Sequence, residues 1–180
     1  HVAGLLDGGV LPVIKHIPGH GRAKADSHLS LPVVEASRKE LAAHDFPPFA
    51  AFADAPMAMT AHVVYTALDK EAPATLSAKV IGQVIRKQIG FNGLLMTDDL
   101  SMKALTGSFE ERTLRALRAG CDVVLHCNGD MAEMAEVAAA AGPLKGKSLR
   151  RARLALKMAR KPQRFDRKAA LKDLEVLVTG

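Results

Sequence analysis

The chain has no tryptophan, one tyrosine and six phenylalanines in 180 residues. Aromatic platforms for stacking nucleobases are therefore scarce, which counts against a binder of single-stranded nucleic acid. Cysteine is nearly as rare. Cys121 and Cys127 stand six apart in one apolar run, a spacing that makes neither a disulfide framework nor a zinc ligand set and that suits a reducing, cytoplasmic setting. No apolar run approaches the roughly eighteen residues of a membrane span, and no signal peptide is visible. The chain opens on His1 and not on Met, with no start signal before its first apolar stretch, so a piece of a longer protein is expected.

The main body also lacks an excess of either charge. Residues 1–144 carry 13 Lys/Arg against 16 Asp/Glu, while residues 145–180 carry 12 against 3, so the net +6 arises in the C-terminal tail. This shift sets a body over 1–144 apart from a basic helical tail over 145–180 that packs on it. "SLRRARLALKMARK" spaces Leu149, Ala152, Leu156 and Ala159 along one helical stripe, with Arg and Lys elsewhere. Such a face serves nucleic acid or an anionic membrane in some proteins. A solvated helix face is the plainer reading, and no nucleic-acid partner is expected.

What is present is a repeated design. "LPVIKHI", "APMAMTAHVVY", "FNGLLMTDDL" and "GCDVVLHCNG" are apolar runs that end in polar residues, as strands covered on both faces do in parallel sheets. Helices lie between them. Ser77 can cap "AKVIGQVIRKQI" before Gly90 stops it. Ser108 with Glu111, and Ser37 with Glu40, are capping boxes, Gly120 closes "FEERTLRALRA", and Asp45 before Pro47-Pro48 reads as another helix start. "MAEMAEVAAAAG" and two tail helices follow. The order β-α-β-α-β-α-β-α-α predicts an α/β fold, four βα units being half of a (β/α)8 TIM-type barrel. Every polar cluster falls at a strand end: Lys15-His16, Ala61-His62, Thr97-Asp98-Asp99 and His126-Cys127-Asn128. Barrels carry their chemistry there, and an open doubly wound sheet would use the same edge.

Two clusters carry groups suited to catalysis. Asp26 and His28, two apart in a loop, can hydrogen-bond so that the carboxylate holds the imidazole's tautomer for acid/base work. Asp98 and Asp99 follow the strand "GLLMT", and because neighbours on a strand face opposite ways, one of them should enter the site. Spacing alone does not rank one above the other. Lys15, His16 and His62 are candidates for binding substrate hydroxyls.

"KHIPGHGRAKADSH", "MTAHVVY" and "IGFNGLLMTDDLSM" occur in that order between about Leu11 and Asn128. Together they resemble the family 3 glycoside hydrolases, in particular the bacterial β-N-acetylhexosaminidases of peptidoglycan recycling. The segment "VIRKQIGFNGLLMTDDLS" fits that family's active-site signature without a gap. The resemblance implies a (β/α)8 barrel of which this chain is the second half. It also implies Asp98 as nucleophile, Asp99 as its non-nucleophilic neighbour, His28 as acid/base with Asp26 as its dyad partner, and Lys15 and His16 as sugar ligands. The implied reaction is retaining hydrolysis that releases N-acetylglucosamine from N-acetylglucosaminyl-anhydromuramoyl peptides in the cytoplasm, with no cofactor and no metal. Where such enzymes usually pair two carboxylates, a histidine acid/base alternates between positive and neutral, so an anionic second nucleophile such as phosphate meets less repulsion. Half a barrel leaves open sheet edges, so this piece alone is expected to be inactive or poorly folded.

Two rivals make different demands. A metal-dependent hydrolase would draw on His16, His20, His28, His62 and Asp98 as N and O ligands, and a chelator would abolish its activity. A non-catalytic sugar-binding relative would keep its function when Asp98 becomes Asn.

Overall fold

The computed structural model describes residues 1–179. Four strands form one wholly parallel sheet in the order β1-β3-β5-β6: Val13–Ile17, Met57–Thr60, Leu94–Asp99 and Val123–Leu125. These are the four expected runs, now shortened to the residues that pair. The sheet stays open, with β1 and β6 as its edges among the described residues, as expected for part of a barrel.

The second run does not form one strand. "MAMT" is β3, and Val64–Tyr65 is a separate strand, β4, which pairs in parallel with β2, Val33–Val34. The break falls at Ala61-His62-Val63, all fully buried. There the chain turns the imidazole inward and leaves the sheet.

Helical segments cross between the strands. After α1, Val2–Asp7, the Ser37–Glu40 capping box starts α2, Arg38–Glu40, which runs on as a π-helical turn over Leu41–Asp45 into α3, Pro47–Ala50. Asp45 does not cap this last helix as the sequence suggests, because the Arg22 guanidinium holds its carboxylate, Nε lying 2.8 and 3.1 Å from the two oxygens. Ser77 does begin the next helical segment by accepting the Val80 amide at 3.1 Å. That segment, Val80–Gln88, winds as a π-helix and turns Val80, Ile81, Val84 and Ile85 to the core. α4, Phe109–Ala119, has the predicted capping box, and Gly120 closes it in the left-handed region at φ 117°, where a Cβ would be strained. Asp130 caps α5, Met131–Ala141, through the amides of Ala132 and Glu133.

The main core lies between sheet and helices and includes Ile17, Phe46, Ala58, Val84, Ile85, Phe91, Leu95 and Ala116. A second cluster of Leu100, Leu105 and Val137 lies under the loop after β5. At Gly93 a Cβ would come within 2.6 Å of the Ala55 carbonyl oxygen. Only glycine lets the approach to β5 pass the approach to β3 so closely.

α6, Gly146–Lys157, and α7, Arg167–Thr179, follow. The apolar stripe expected on α6 is displaced: Leu156 is 68% exposed, and Ala155 is the residue buried. The inward face also carries Ser148 and Arg151, because the buried Asp122 carboxylate lies beneath it. Oδ1 accepts from Ser148 Oγ at 2.8 Å and Arg151 Nη1 at 2.9 Å. Oδ2 accepts from Arg86 Nη2 at 2.8 Å and the Leu95 amide at 2.9 Å. A buried carboxylate with four donors draws the helix down by its polar face rather than its leucines. α7 keeps Leu171, Leu174 and Leu177 largely exposed.

Candidate active site

The carboxyl ends of β1 and β5 supply the centre of the site. Pairing of β1 with β3 advances Val13 to Met57, Ile14 to Ala58 and Lys15 to Met59, then skips to Ile17 opposite Thr60. His16 is thus left out of the ladder, as at a bulge, where a strand re-aims a side chain. Its Nε2 lies 3.3 Å from Asp98 Oδ2. Burial pulls the His16 pKa down, against the nearby Asp98 carboxylate, which raises it, and the net shift is downward. Lys15, beside it, is exposed.

The two aspartates expected at the end of β5 differ in how fully they are occupied. Asp99 accepts from the Ser101 hydroxyl at 2.6 Å, the Ser101 amide at 3.0 Å and the Cys127 amide at 3.3 Å. Partial burial pushes its pKa up, but these hydrogen bonds to Ser101 and Cys127 prevail and hold it below the usual value. Asp98 has one such donor, the Asp99 amide, 2.9 Å from Oδ1. Its Oδ2 faces His16 and is the oxygen open to a reaction partner. The sequence could not separate these neighbours, whereas their hydrogen bonding does.

Asp26 and His28 form the expected pair on the turn after β1. The ring Nδ1 is 3.0 Å from Asp26 Oδ1, and the His28 amide donates to the same oxygen at 2.9 Å. These bonds, the backbone one foremost, lower the Asp26 pKa. The pair is well exposed, 75% for the His28 side chain. No hydrogen bond or ion pair joins it to Asp98 among the described residues.

The first part of this connector is held tightly. Tyr65 donates its hydroxyl to the Gly19 carbonyl, Arg22 is clamped on Asp45, and Gly19, at φ 137°, packs so that a Cβ there would come within 3.2 Å of Asp45 Cβ. Two glycines and two basic residues would suit a pliable, solvated connector over Gly19–Lys24, but up to Arg22 it is pinned. His20 turns its ring toward His16, with centroids 5.6 Å apart.

His62, expected among the sugar ligands, is completely buried. Both ring nitrogens are engaged inside the protein, Nδ1 with Thr75 Oγ1 at 2.7 Å and Nε2 with the Asp99 carbonyl oxygen at 3.0 Å. In this state the ring has neither a free nitrogen nor a face for a sugar. His126, at the end of β6, is also enclosed. Its Nε2 is 3.1 Å from Glu133 Oε2, not aligned as a hydrogen bond, and its Nδ1 is 3.9 Å from Asp99 Oδ1. The sequence offered no signal for Thr75 or Glu133, polar residues outside the strand-end clusters, and Ser101 closed the quoted signature without a role of its own.

The ligand set of a metal-dependent hydrolase is not assembled. His62 is locked in its own network, and among the described residues no group of three or more His, Cys, Asp or Glu is arranged to hold a metal ion. Among the described residues, no helix is long and apolar enough to cross a membrane.

A parallel α/β sheet with an available carboxylate and a histidine at its carboxyl edge is the layout of part of a barrel enzyme. The chain belongs to glycosyl hydrolase family 3: the model of that family's N-terminal domain matches residues 1–160. It is 45% identical over 131 residues to a β-hexosaminidase of Alkalilimnicola ehrlichii, covering 71% of this chain and 37% of that protein. A β-hexosaminidase of Methylobacillus flagellatus is 43% identical over 129 residues, 69% and 37% of the two chains. Among solved structures, a family 3 β-N-acetylglucosaminidase from Paenibacillus superposes with a TM-score of 0.80 at 29% identity, over 92% of this chain and 35% of its own. The β-N-acetylglucosaminidase from Thermotoga maritima does so with a TM-score of 0.69 at 35% identity, over 88% and 37%. The chain thus spans little more than a third of these relatives.

Proposed function

We propose that the protein containing this chain is a retaining β-N-acetylhexosaminidase, with Asp98 as nucleophile and His28, paired with Asp26, as acid/base. The observation that carries the reading is the open Oδ2 of Asp98 at the end of β5, beside His16 and next to a saturated Asp99. The Asp26–His28 hydrogen bond supports the second role. Protonated His28 gives its proton to the leaving oxygen while Asp98 attacks the anomeric carbon. Neutral His28 then takes a proton from the water that releases the sugar. Lys15 and His16 hold sugar hydroxyls, and sugar bound there replaces the His16–Asp98 contact. His62 is set aside from substrate binding. The names of the relatives support a terminal β-linked N-acetylglucosamine as substrate, and the muropeptide context and cytoplasmic site remain those implied by the resemblance.

The test uses the full-length protein. It should release 4-nitrophenol from the β-N-acetylglucosaminide far faster than from the β-glucoside, and Asp98→Asn should remove that activity. EDTA should leave it intact. Equal rates on the two glycosides would reject the substrate, and an active Asp98→Asn variant would reject the nucleophile.

A further inference from the structure

We propose that His62 is a positioning residue that aims the Asp98 carboxylate by holding the backbone of Asp99, an inference that rests on reading Asp98 as the nucleophile. The Asp99 carbonyl can only accept, so the His62 nitrogen 3.0 Å from it, Nε2, carries the proton. Burial, the largest influence on this ring, lowers its pKa despite the opposing pull of the Asp99 carbonyl and of the Asp98 and Asp99 carboxylates. The ring is therefore neutral near pH 7 and Nδ1 is an acceptor. The Thr75 hydroxyl has one proton and two acceptors in reach, Nδ1 at 2.7 Å and the Ala61 carbonyl oxygen at 3.1 Å. With Nε2 protonated, Nδ1 has Thr75 as its donor and takes the shorter bond, and Thr75 Oγ1 accepts in turn from Thr60 Oγ1 at 2.8 Å. The protons all point one way, from Thr60 through Thr75 and His62 to the Asp99 carbonyl, so each bond polarises the next.

The end of that chain matters because Asp99 is fixed at three points. His62 holds its carbonyl, Ser101 and Cys127 hold its carboxylate, and its amide donates to Asp98 Oδ1 at 2.9 Å. With the residue so fixed, its amide has one direction, and the oxygen it binds is immobilised. Oδ2, which faces His16 and takes no backbone donor, is left as the attacking oxygen. A general interior histidine would not need its donor to end on the residue whose amide grips the nucleophile. Outer-shell partners that orient metal ligands are commonly worth about 10- to 100-fold in activity, and the same order is expected for a support that orients a nucleophile.

The experiment compares two amides at position 62 of the full-length enzyme. In His62→Gln the side-chain N–H reaches about as far as Nε2 and can still meet the Asp99 carbonyl, whereas in His62→Asn it stops near Nδ1. The expected result is that His62→Asn loses about 10- to 100-fold in kcat with little change in KM, and that His62→Gln recovers most of it at a similar thermal midpoint. Equal losses in the two variants, or a raised KM with unchanged kcat, overturn the inference. If neither variant folds, 15N NMR of the wild-type ring decides, since an Nδ1–H tautomer overturns the inference and an Nε2–H tautomer upholds it. A wild-type enzyme without glycosidase activity would instead defeat the parent reading, and the two failures are told apart by that control.

Discussion

Asp98 and His28 are assigned to one glycosidic bond, yet their surroundings are opposite. Asp98 ends a strand, 16% exposed, gripped by an amide of a neighbour that is itself held at three points. His28 sits on an exposed turn, and its ring is held by a single side chain, Asp26. The difference teaches that one role demands placement and the other delivery. A nucleophile must meet the anomeric carbon along one line, and misplacement by an ångström is costly. An acid/base must find the leaving oxygen, then a water, and an exposed turn hinged on the pinned Gly19–Arg22 segment suits two partners in succession.

The largest effect should come from breaking the placed side. Asp98→Asn is expected to lower turnover on the order of 10⁴-fold or more, whatever the leaving group, as measured on aryl and alkyl β-N-acetylglucosaminides. His28→Ala should separate those substrates. Acid help is worth about 10²- to 10⁴-fold, so the alkyl glycoside should show the full loss, while the 4-nitrophenyl compound, whose leaving group needs little protonation, should lose much less at bond cleavage. Identical losses on both would end the distinction between placement and delivery. Asp26→Asn should act more weakly than His28→Ala and again chiefly on the alkyl glycoside, because the His28 ring loses the carboxylate that orients it.

Stability gives two gentler handles on the comparison. His62 has its pKa lowered by burial foremost, so the unfolded chain binds its proton more readily than the fold does. The sign follows: stability falls as pH drops below the ordinary histidine value of about 6.5, by at most about 1.4 kcal/mol per pH unit for this group. In His62→Gln, denaturant midpoints taken from pH 7 to pH 5 should decline less than in wild type. On the other side, Arg22→Ala removes a partly exposed ion pair of the kind that adds little to stability. It should barely move the midpoint, yet free the base of the turn and weaken activity chiefly on alkyl substrates.

Much of the frame was legible because its signals are local. The strands β1, β3, β5 and β6, the boxes at Ser37 and Ser108, and the stop at Gly120 each follow from a few adjacent residues. The β2–β4 pair was not, since two residues paired across some thirty positions leave no periodic trace. His62 looked like its neighbours at the other strand ends, and only the turn of chain after Thr60 carries it inside. Asp45 carries the right residue type for a cap but is claimed by Arg22, a competition between distant residues that spacing cannot display. Asp98 and Asp99 became distinguishable once the donors from Ser101 and Cys127 were in place.

The Asp122 junction bears on how the basic tail is to be understood. Counted along the chain, Arg151 belongs to the tail's surplus of cations. Counted in space, it is a counterion of the sheet, facing Arg86 across one buried carboxylate. Cutting the protein where its composition changes, after residue 144, would take away two of the four donors to Asp122 and leave Arg86 as its sole cation. A boundary drawn by charge therefore runs through the middle of a buried ion cluster, and the electrostatic unit ends at α6, several turns beyond where the sequence changes character.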